Sequence, residues 1–145
     1  MKGKTAALPR RNLPLLLLQA REHVIAHFRP ILNQAGLTEQ QWRIIRLLLE
    51  TGPLEPRQIG EQCRISSPSL AGVLARMEQM KFIQRERVDR DLRRVSVSLT
   101  PRSKALAVRL APRIEATYRH IEELIGPDFC EQFYRTLDHL IAAVR

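Results

Sequence analysis

Two adjoining stretches, PRQIGEQCRISSPSLAGVLARMEQM at residues 56–80 and KFIQRERVDRDLRRVSVSL at residues 81–99, decide how this chain folds. Pro56 suits the first position of a helix, where its missing N–H has no partner to lose, and Ile59 and Cys63, one turn apart, give that short helix a buried side. Arg64, Ile65 and Ser66 make a tight connection. Ser66 or Ser67 then caps a further helix, with Pro68 preorganising its first turn. Over residues 68–80, Leu70, Val73, Leu74 and Met77 share one face, and Ser69, Ala71, Gly72, Ala75, Arg76 and Gln79 share the other. A helix facing only water normally displays Glu and Lys, so this lean face marks a surface that another molecule approaches closely.

The next segment changes period. Residues 82–88 read as a strand, and in residues 94–99 Val95, Val97 and Leu99 alternate with Arg94, Ser96 and Ser98, as a second strand would. Asp89, Arg90, Asp91, Leu92 and Arg93 between them form a charged hairpin tip. Helix, tight turn, helix, strand, charged tip, strand is the order of a winged helix-turn-helix, a mainly α fold with a two- to three-stranded β wing.

Upstream, Leu17, Val24, Phe28, Ile31 and Leu32 recur at helical spacing over residues 14–33. Thr38 opens another helix, with Gln41 completing a capping box and Trp42, Ile45, Leu48 and Leu49 on its buried side; Gly52-Pro53 ends it. Downstream, Thr100-Pro101 opens a long helix with Leu106, Leu110, Ile114, Tyr118, Ile121 and Leu124 near one stripe. Pro112 inside it predicts a kink or short break over residues 108–112. Gly126-Pro127 ends that segment, and Asp128 is expected to cap a last helix with an apolar stripe of Phe129, Phe133, Leu137, Leu140, Ile141 and Val144.

The outer helices carry more apolar surface than a small central module can cover, and a second copy of the chain is the economical partner. The expected organisation of residues 1–145 is therefore one winged-helix domain. Residues 1–12 form a flexible basic tail, residues 13–36 and 101–145 supply dimerisation helices, and residues 37–100 form the DNA-binding region.

Composition agrees with one domain. The chain has 145 residues, 44% hydrophobic and 27% charged, with 24 Lys plus Arg against 15 Asp plus Glu and a formal charge of +9. Only Lys2, Lys4, Lys81 and Lys104 are lysines. Arginine's planar fork suits phosphates and guanine edges, but a GC-rich genome would produce the same skew, so position must decide. Residues 76–94 hold Arg76, Lys81, Arg85, Arg87, Arg90, Arg93 and Arg94 against Glu78, Glu86, Asp89 and Asp91. On a reading helix and a hairpin, that placement points to double-stranded DNA. Ser66, Ser67, Ser69, Gly72 and Arg76 are expected at the major groove and Arg90 in the minor groove, with Arg87 and Arg93 on phosphates.

Other classes find less support. Cys63 and Cys130 make no disulfide framework and no Cys/His cluster has zinc spacing, so no metal or cofactor is expected and a reducing cytoplasmic location fits. The apolar run at residues 13–18 is too short for a membrane span. There is no Gly-rich phosphate loop, no His-Glu-x-x-His and no nucleophile elbow, so the chain does not read as an enzyme. A non-specific nucleoid- or RNA-binding protein, or a helical interaction module with an incidental basic surface, remains the alternative.

The helix order, the tip Arg90-Asp91-Leu92-Arg93 and Leu99-Thr100 after it resemble the multiple-antibiotic-resistance-regulator (MarR) family of dimeric bacterial transcription factors. LLLQARE at residues 16–22, Phe28-Arg29-Pro30, LTEQQWRI at residues 37–44, Pro68-Ser69-Leu70, Arg76-Met77-Glu78 and Tyr118-Arg119 resemble its members that repress operons for breakdown of 4-hydroxyphenylacetate- or homoprotocatechuate-like aromatic acids. Val88 stands where the family's wing usually carries Asp. The resemblance implies a homodimer on a pseudo-palindromic operator, released by a small aromatic acid bound between the dimer helices and the winged region.

Candidate residues for that effector follow. Arg21 shares the helical track of Leu17, Val24 and Phe28, so its guanidinium is aimed inward to meet a carboxylate, or else pairs with Glu22, Glu115 or the partner subunit. Trp42 and Arg46, one turn apart, offer an aromatic wall and a second donor, although plain core packing would also use Trp42. Phe28 and His23 complete the candidate set. His23 and His27 lie at i and i+4 with no Glu or Cys companion, which favours surface or dimer-contact histidines over zinc. Cys63 reads as a redox sensor or, because it lies where a short helix packs on its neighbour, as a buried, inert thiol, with the second reading favoured.

Overall fold

The computed structural model describes residues 7–88 and 90–145; the side chains of Asp91 and Leu92 are not described. The basic tail therefore falls partly, and the hairpin tip partly, outside the described residues. Eight elements follow in order: α1 (Leu13–Gln34), α2 (Glu39–Thr51), α3 (Pro56–Cys63), α4 (Ser67–Gln79), β1 (Ile83–Val88), β2 (Asp91–Leu99), α5 (Pro101–Ile125) and α6 (Pro127–Ala143).

The helix starts are set locally. Asn12 Oδ1 accepts from Leu15 N at 3.1 Å at the head of α1. The capping box on α2 has Thr38 Oγ1 accepting from Gln41 N at 3.1 Å while Gln41 Oε1 accepts from Thr38 N at 3.0 Å. Thr100 and Ser103 repeat the device on α5. Ser66 takes the N-cap position of α4, but its hydroxyl donates to Ser69 Oγ at 3.1 Å instead of accepting a backbone N–H. At α6 the N-cap is Gly126, and Asp128, expected there, lies inside the first turn, where its charge faces the helix's positive end.

Pro112 does not break α5, which is helical without interruption across residues 108–112. Proline removes the N–H that Val108's carbonyl would have accepted, but Val108 is 74% exposed, so water can take that bond. The same holds for Pro30 within α1, where the neighbouring turn is also exposed.

β1 and β2 form a two-stranded antiparallel wing, in register from Ile83↔Leu99 to Arg87↔Val95, with a bulge before Val88↔Asp91. The third strand shrinks to one bridge, in which Leu54 and Val97 exchange both backbone hydrogen bonds, at 3.1 and 2.8 Å. That bridge ties the wing to the α2–α3 connection.

The core lies where α2, α3, α4, the wing root and the first half of α5 meet. Ile44, Ile45, Leu48, Ile59, Leu74, Met77 and Val97 are fully or almost fully buried in it. Ser103 is buried as well, and its hydroxyl donates to Phe82 O at 2.7 Å, so it is satisfied. Gly60 lets α3 close on the following turn: a Cβ there would lie 3.1 Å from Ile65 O and 3.2 Å from Leu70 Cδ2. Arg64 ends α3 in the left-handed region (φ 56°), reversing the chain towards α4.

The outer helices are covered only in part. Ile31, Leu32, Leu106, Leu110 and Ile114 are buried, whereas Leu13, Leu17, Leu18, Phe129, Phe133 and Ile141 are exposed, and α6 has no buried residue.

Candidate functional site

Two surfaces carry most of the residues singled out from the sequence. On the first, α4 turns Leu70, Leu74 and Met77 into the core and leaves Ser69, Ala71, Gly72, Ala75, Arg76 and Gln79 exposed. Nothing lies within 4 Å of where a Gly72 Cβ would stand, so that face is open. Ser66 and Ser67 sit at the head of the helix and line, with Arg57, Ala71 and Arg85, a groove of about 450 Å³ between α3, α4 and β1.

The arginines now divide by partner. Arg85 is held by Glu78 at 3.2 Å and Arg94 by Glu55 at 2.7 Å, which braces the wing against α4 and against the start of α3. Among the described residues, no ion pair engages Arg76, Arg87 or Arg90, so these charges face outward and are available to phosphate. Arg93 is exposed on β2.

The second surface is a cavity of about 350 Å³ between α1, α2, α3 and α5. Phe28, Trp42 and Arg46 line it, as expected from sequence, together with Val24, Ile25, Leu32, Glu39, Arg43, Leu47, Glu50, Gln62, Cys63 and Tyr118. Arg46 Nη1 donates to the Tyr118 hydroxyl at 2.6 Å and Nε to Glu50 at 3.1 Å, and the guanidinium carbon lies 5.6 Å from the Tyr118 ring centroid. Burial works against the charge on Arg46, but Tyr118 and Glu50 outweigh it and raise its pKa, so the cation persists at any physiological pH. Phe28 leans on Tyr118 with centroids 4.8 Å apart and ring planes at 58°. A second recess of about 300 Å³ adjoins the far side of Trp42, Arg46, Glu50 and Tyr118 and extends to Ala107, Ile114 and Glu115. A permanent cation with a phenol beside it and aromatic walls around it is a setting for a small aromatic anion.

Two candidates lie elsewhere. Arg21 does not line either cavity: it pairs with Glu39 at 3.2 Å and Glu22 at 3.6 Å, so Glu22, one of the partners anticipated for it, takes part. His23 is exposed on α1 and lines neither, while His27 meets His120 of α5 with ring centroids 5.8 Å apart. Among the described residues no group of three or more His, Cys, Asp or Glu is placed to hold a metal ion.

Sequence reasoning missed Tyr118, Arg43 and Glu39 as lining residues. Tyr118 was legible as the one hydroxyl-bearing member of an otherwise aliphatic stripe, and Glu39 with Arg43 as an i, i+4 pair beside Trp42. Cys63 is buried as expected, and desolvation pushes its thiol above the ordinary value.

Comparison with known proteins places this geometry. The MarR family profile matches residues 37–95, from the start of α2 into β2. The chain is 44% identical to the HTH-type transcriptional regulator FarR of Neisseria gonorrhoeae over 76% of this chain and 75% of that one. It is 38% identical to the homoprotocatechuate degradative operon repressor of Escherichia coli over 90% and 88%. Its fold superposes on the crystal structure of NadR in complex with 4-hydroxyphenylacetate with a TM-score of 0.82 at 36% identity, covering 91% of this chain and 96% of that one. No helix among the described residues is long and apolar enough to cross a membrane. With the helix order, the two-stranded wing and the open face of α4 in agreement, the chain belongs to the MarR family of transcriptional regulators.

Proposed function

We propose that this regulator is a homodimeric repressor of an operon for aromatic-acid breakdown, released from its operator when a small aromatic carboxylate of the 4-hydroxyphenylacetate class enters the cavity beside Arg46. One observation carries the effector reading: a charged guanidinium hydrogen-bonded to Tyr118 sits in an accessible cavity walled by Phe28 and Trp42. The carboxylate would take the guanidinium's free edge and the ring would stack within the aromatic walls. The relatives support it, since one is a repressor of a homoprotocatechuate operon and another was crystallised with 4-hydroxyphenylacetate.

Dimerisation is supported by the apolar surface left uncovered on α1 and α6, where Leu18 is 54% and Phe129 53% exposed. A two-fold axis through these helices would present two α4 helices to successive major grooves, about 34 Å apart. Ser66, Ser67, Ser69, Gly72 and Arg76 would then face base edges, with Arg87, Arg90 and Arg93 along the flanking backbone and minor groove.

The test is fluorescence anisotropy on DNA from upstream of the protein's own gene and on shuffled DNA of equal length, over a range of salt. A specific repressor prefers its own site by roughly a thousandfold or more, and 4-hydroxyphenylacetate, homoprotocatechuate or a close analogue removes that preference. Equal affinity for both DNAs at every salt concentration would instead identify a non-specific nucleic-acid-binding protein and refute the proposal.

A further inference from the structure

Arg43 lines the same cavity as Arg46 but directs its hydrogen bonds to other parts of the protein. It lies on α2 one turn before Arg46, and its side chain is 28% exposed. Nε donates to Glu39 Oε1 at 3.0 Å, Nη2 to the other oxygen of that carboxylate, and Nη1 to the main-chain oxygen of Cys63 at 2.6 Å. Cys63 returns the contact, its Sγ lying 3.8 Å from the Arg43 carbonyl oxygen.

The Cys63 carbonyl belongs to the last turn of α3, where a helix leaves acceptors without intrahelical donors. The next residue, Arg64, makes the left-handed reversal that leads to α4. One guanidinium therefore spans the wall of the cavity and the elbow that aims the recognition helix, since Glu39, Arg43 and Cys63 all line that cavity. Arg46 makes no such link; its partners are Tyr118 and Glu50.

Glu39 is the counterweight. It also holds Arg21 of α1 at 3.2 Å, so α1, α2 and the end of α3 are joined through one carboxylate and two guanidinium groups. A second carboxylate arriving in this cavity competes with Glu39 for the Arg43 fork and repels Glu39 itself. Either effect draws Nη1 away from the Cys63 carbonyl, because the planar guanidinium cannot keep all three bonds once its plane turns.

We propose that Arg43 is the positioning residue that converts occupancy of the cavity by an aromatic carboxylate into reorientation of α4, by releasing the carbonyl at the end of α3. This rests on the effector reading above. It separates two tasks: Arg46 and Tyr118 hold the ligand, and Arg43 reports it.

The experiment measures operator affinity of the full chain by anisotropy, without and with saturating 4-hydroxyphenylacetate, alongside ligand affinity by calorimetry, for the wild type, Arg43→Gln and Arg43→Lys. In the wild type the ligand should weaken operator binding by roughly tenfold or more, in the usual range for coupled sites. Arg43→Gln breaks the bond to the Cys63 carbonyl outright, so its operator affinity without ligand should already lie within about threefold of that of the ligand-saturated wild type, and saturating 4-hydroxyphenylacetate should lower it by less than about twofold more. Wild-type operator affinity in the ligand-free variant overturns the proposal. Arg43→Lys keeps the charge but loses the fork, so it should show the same uncoupling; it also serves if Arg43→Gln does not fold. Undiminished release in the variants at saturation overturns the proposal. So does a variant that is released normally once enough ligand is added, which would make Arg43 an ordinary ligand contact. If the wild type binds its own site specifically but is not released by 4-hydroxyphenylacetate, the effector reading fails first and this inference falls with it.

Discussion

Leu74 and Ala75 are neighbours in sequence and sit on opposite sides of α4, so exchanging their sizes tests both faces of the helix at once. Leu74 is 1% exposed and belongs to the core cluster; Ala75 is exposed on the face assigned to DNA. Leu74→Ala removes three carbons from a closed site. At about 0.8 kcal/mol per buried methylene the transfer loss is about 2.4 kcal/mol, and the cavity left behind brings the total to about 3–4 kcal/mol. With a urea dependence of about 2 kcal/mol per molar, the unfolding midpoint should fall by about 1.5–2 M at a fixed protein concentration. The concentration must be held because association stabilises the folded chain. Ala75→Leu should move that midpoint little, since Leu is nearly as good a helix former as Ala and an exposed site changes stability by about 0.5 kcal/mol or less. The three added carbons, however, stand where base edges must approach, and operator affinity should fall at least about tenfold, or about 1.4 kcal/mol. A midpoint shift below about 0.5 M for Leu74→Ala would mean that α4 is not seated as described. Unchanged operator affinity for Ala75→Leu, measured by anisotropy at fixed salt, would remove the outward face of α4 from the DNA interface.

Further tests address the other surfaces. Arg90→Ala should weaken operator binding by about 1–3 kcal/mol and lower the slope of log affinity against log salt by about 1; an identical slope would place Arg90 off the DNA. Tyr118→Phe keeps the ring contact with Phe28 but removes the acceptor of Arg46. It should lower stability by about 1 kcal/mol or less while weakening 4-hydroxyphenylacetate binding in calorimetry, and unaltered binding would exclude the hydroxyl from the site. Burial opposes the charge on Glu39, but Arg43 and Arg21 outweigh it and hold its carboxyl below the ordinary value. Its stabilising share is therefore fully present above its unfolded-state pKa and disappears as pH falls through the folded one. Glu39→Gln should accordingly be less stable than the wild type at pH 7 and converge with it in acid; a gap that persists at the lowest pH would contradict this. Desolvation raises the Cys63 thiol, so iodoacetamide at neutral pH should leave the Cys63 peptide unmodified until the chain is unfolded, as peptide mass spectrometry would show.

Much of the fold is legible because its signals are local. Thr38 with Gln41, and Thr100 with Ser103, are capping pairs three residues apart, and Pro56, Pro68 and Pro101 stand where a first helical turn tolerates them. The period of Leu70, Leu74 and Met77 alone separates the buried from the open side of α4. Where a local rule misleads, solvent is the reason. Pro112 was expected to kink or break α5; the break does not occur, because the carbonyl it orphans lies on an exposed turn and the helix continues.

The candidate site was only partly legible, because its key distances cross the chain. Arg46 and Tyr118 are bonded across 72 positions, and Arg43 reaches the Cys63 carbonyl across 20. Periodicity placed Arg21 on the inward track of α1 without showing that Glu39, at the start of the next helix, would be its partner. The sequence by itself determined which elements form, where they begin and which of their faces are apolar, since propensity, capping and hydrophobic period act within a few residues. Only the tertiary structure decided which arginine is spoken for and which is open: Arg85 and Arg94 brace the wing, Arg46 is held by Tyr118 and Glu50 and Arg43 by Glu39 and the Cys63 carbonyl, while among the described residues no ion pair engages Arg76, Arg87 or Arg90. Pairing of charges depends on separations of about 3 Å between groups that the chain brings together only once it has folded.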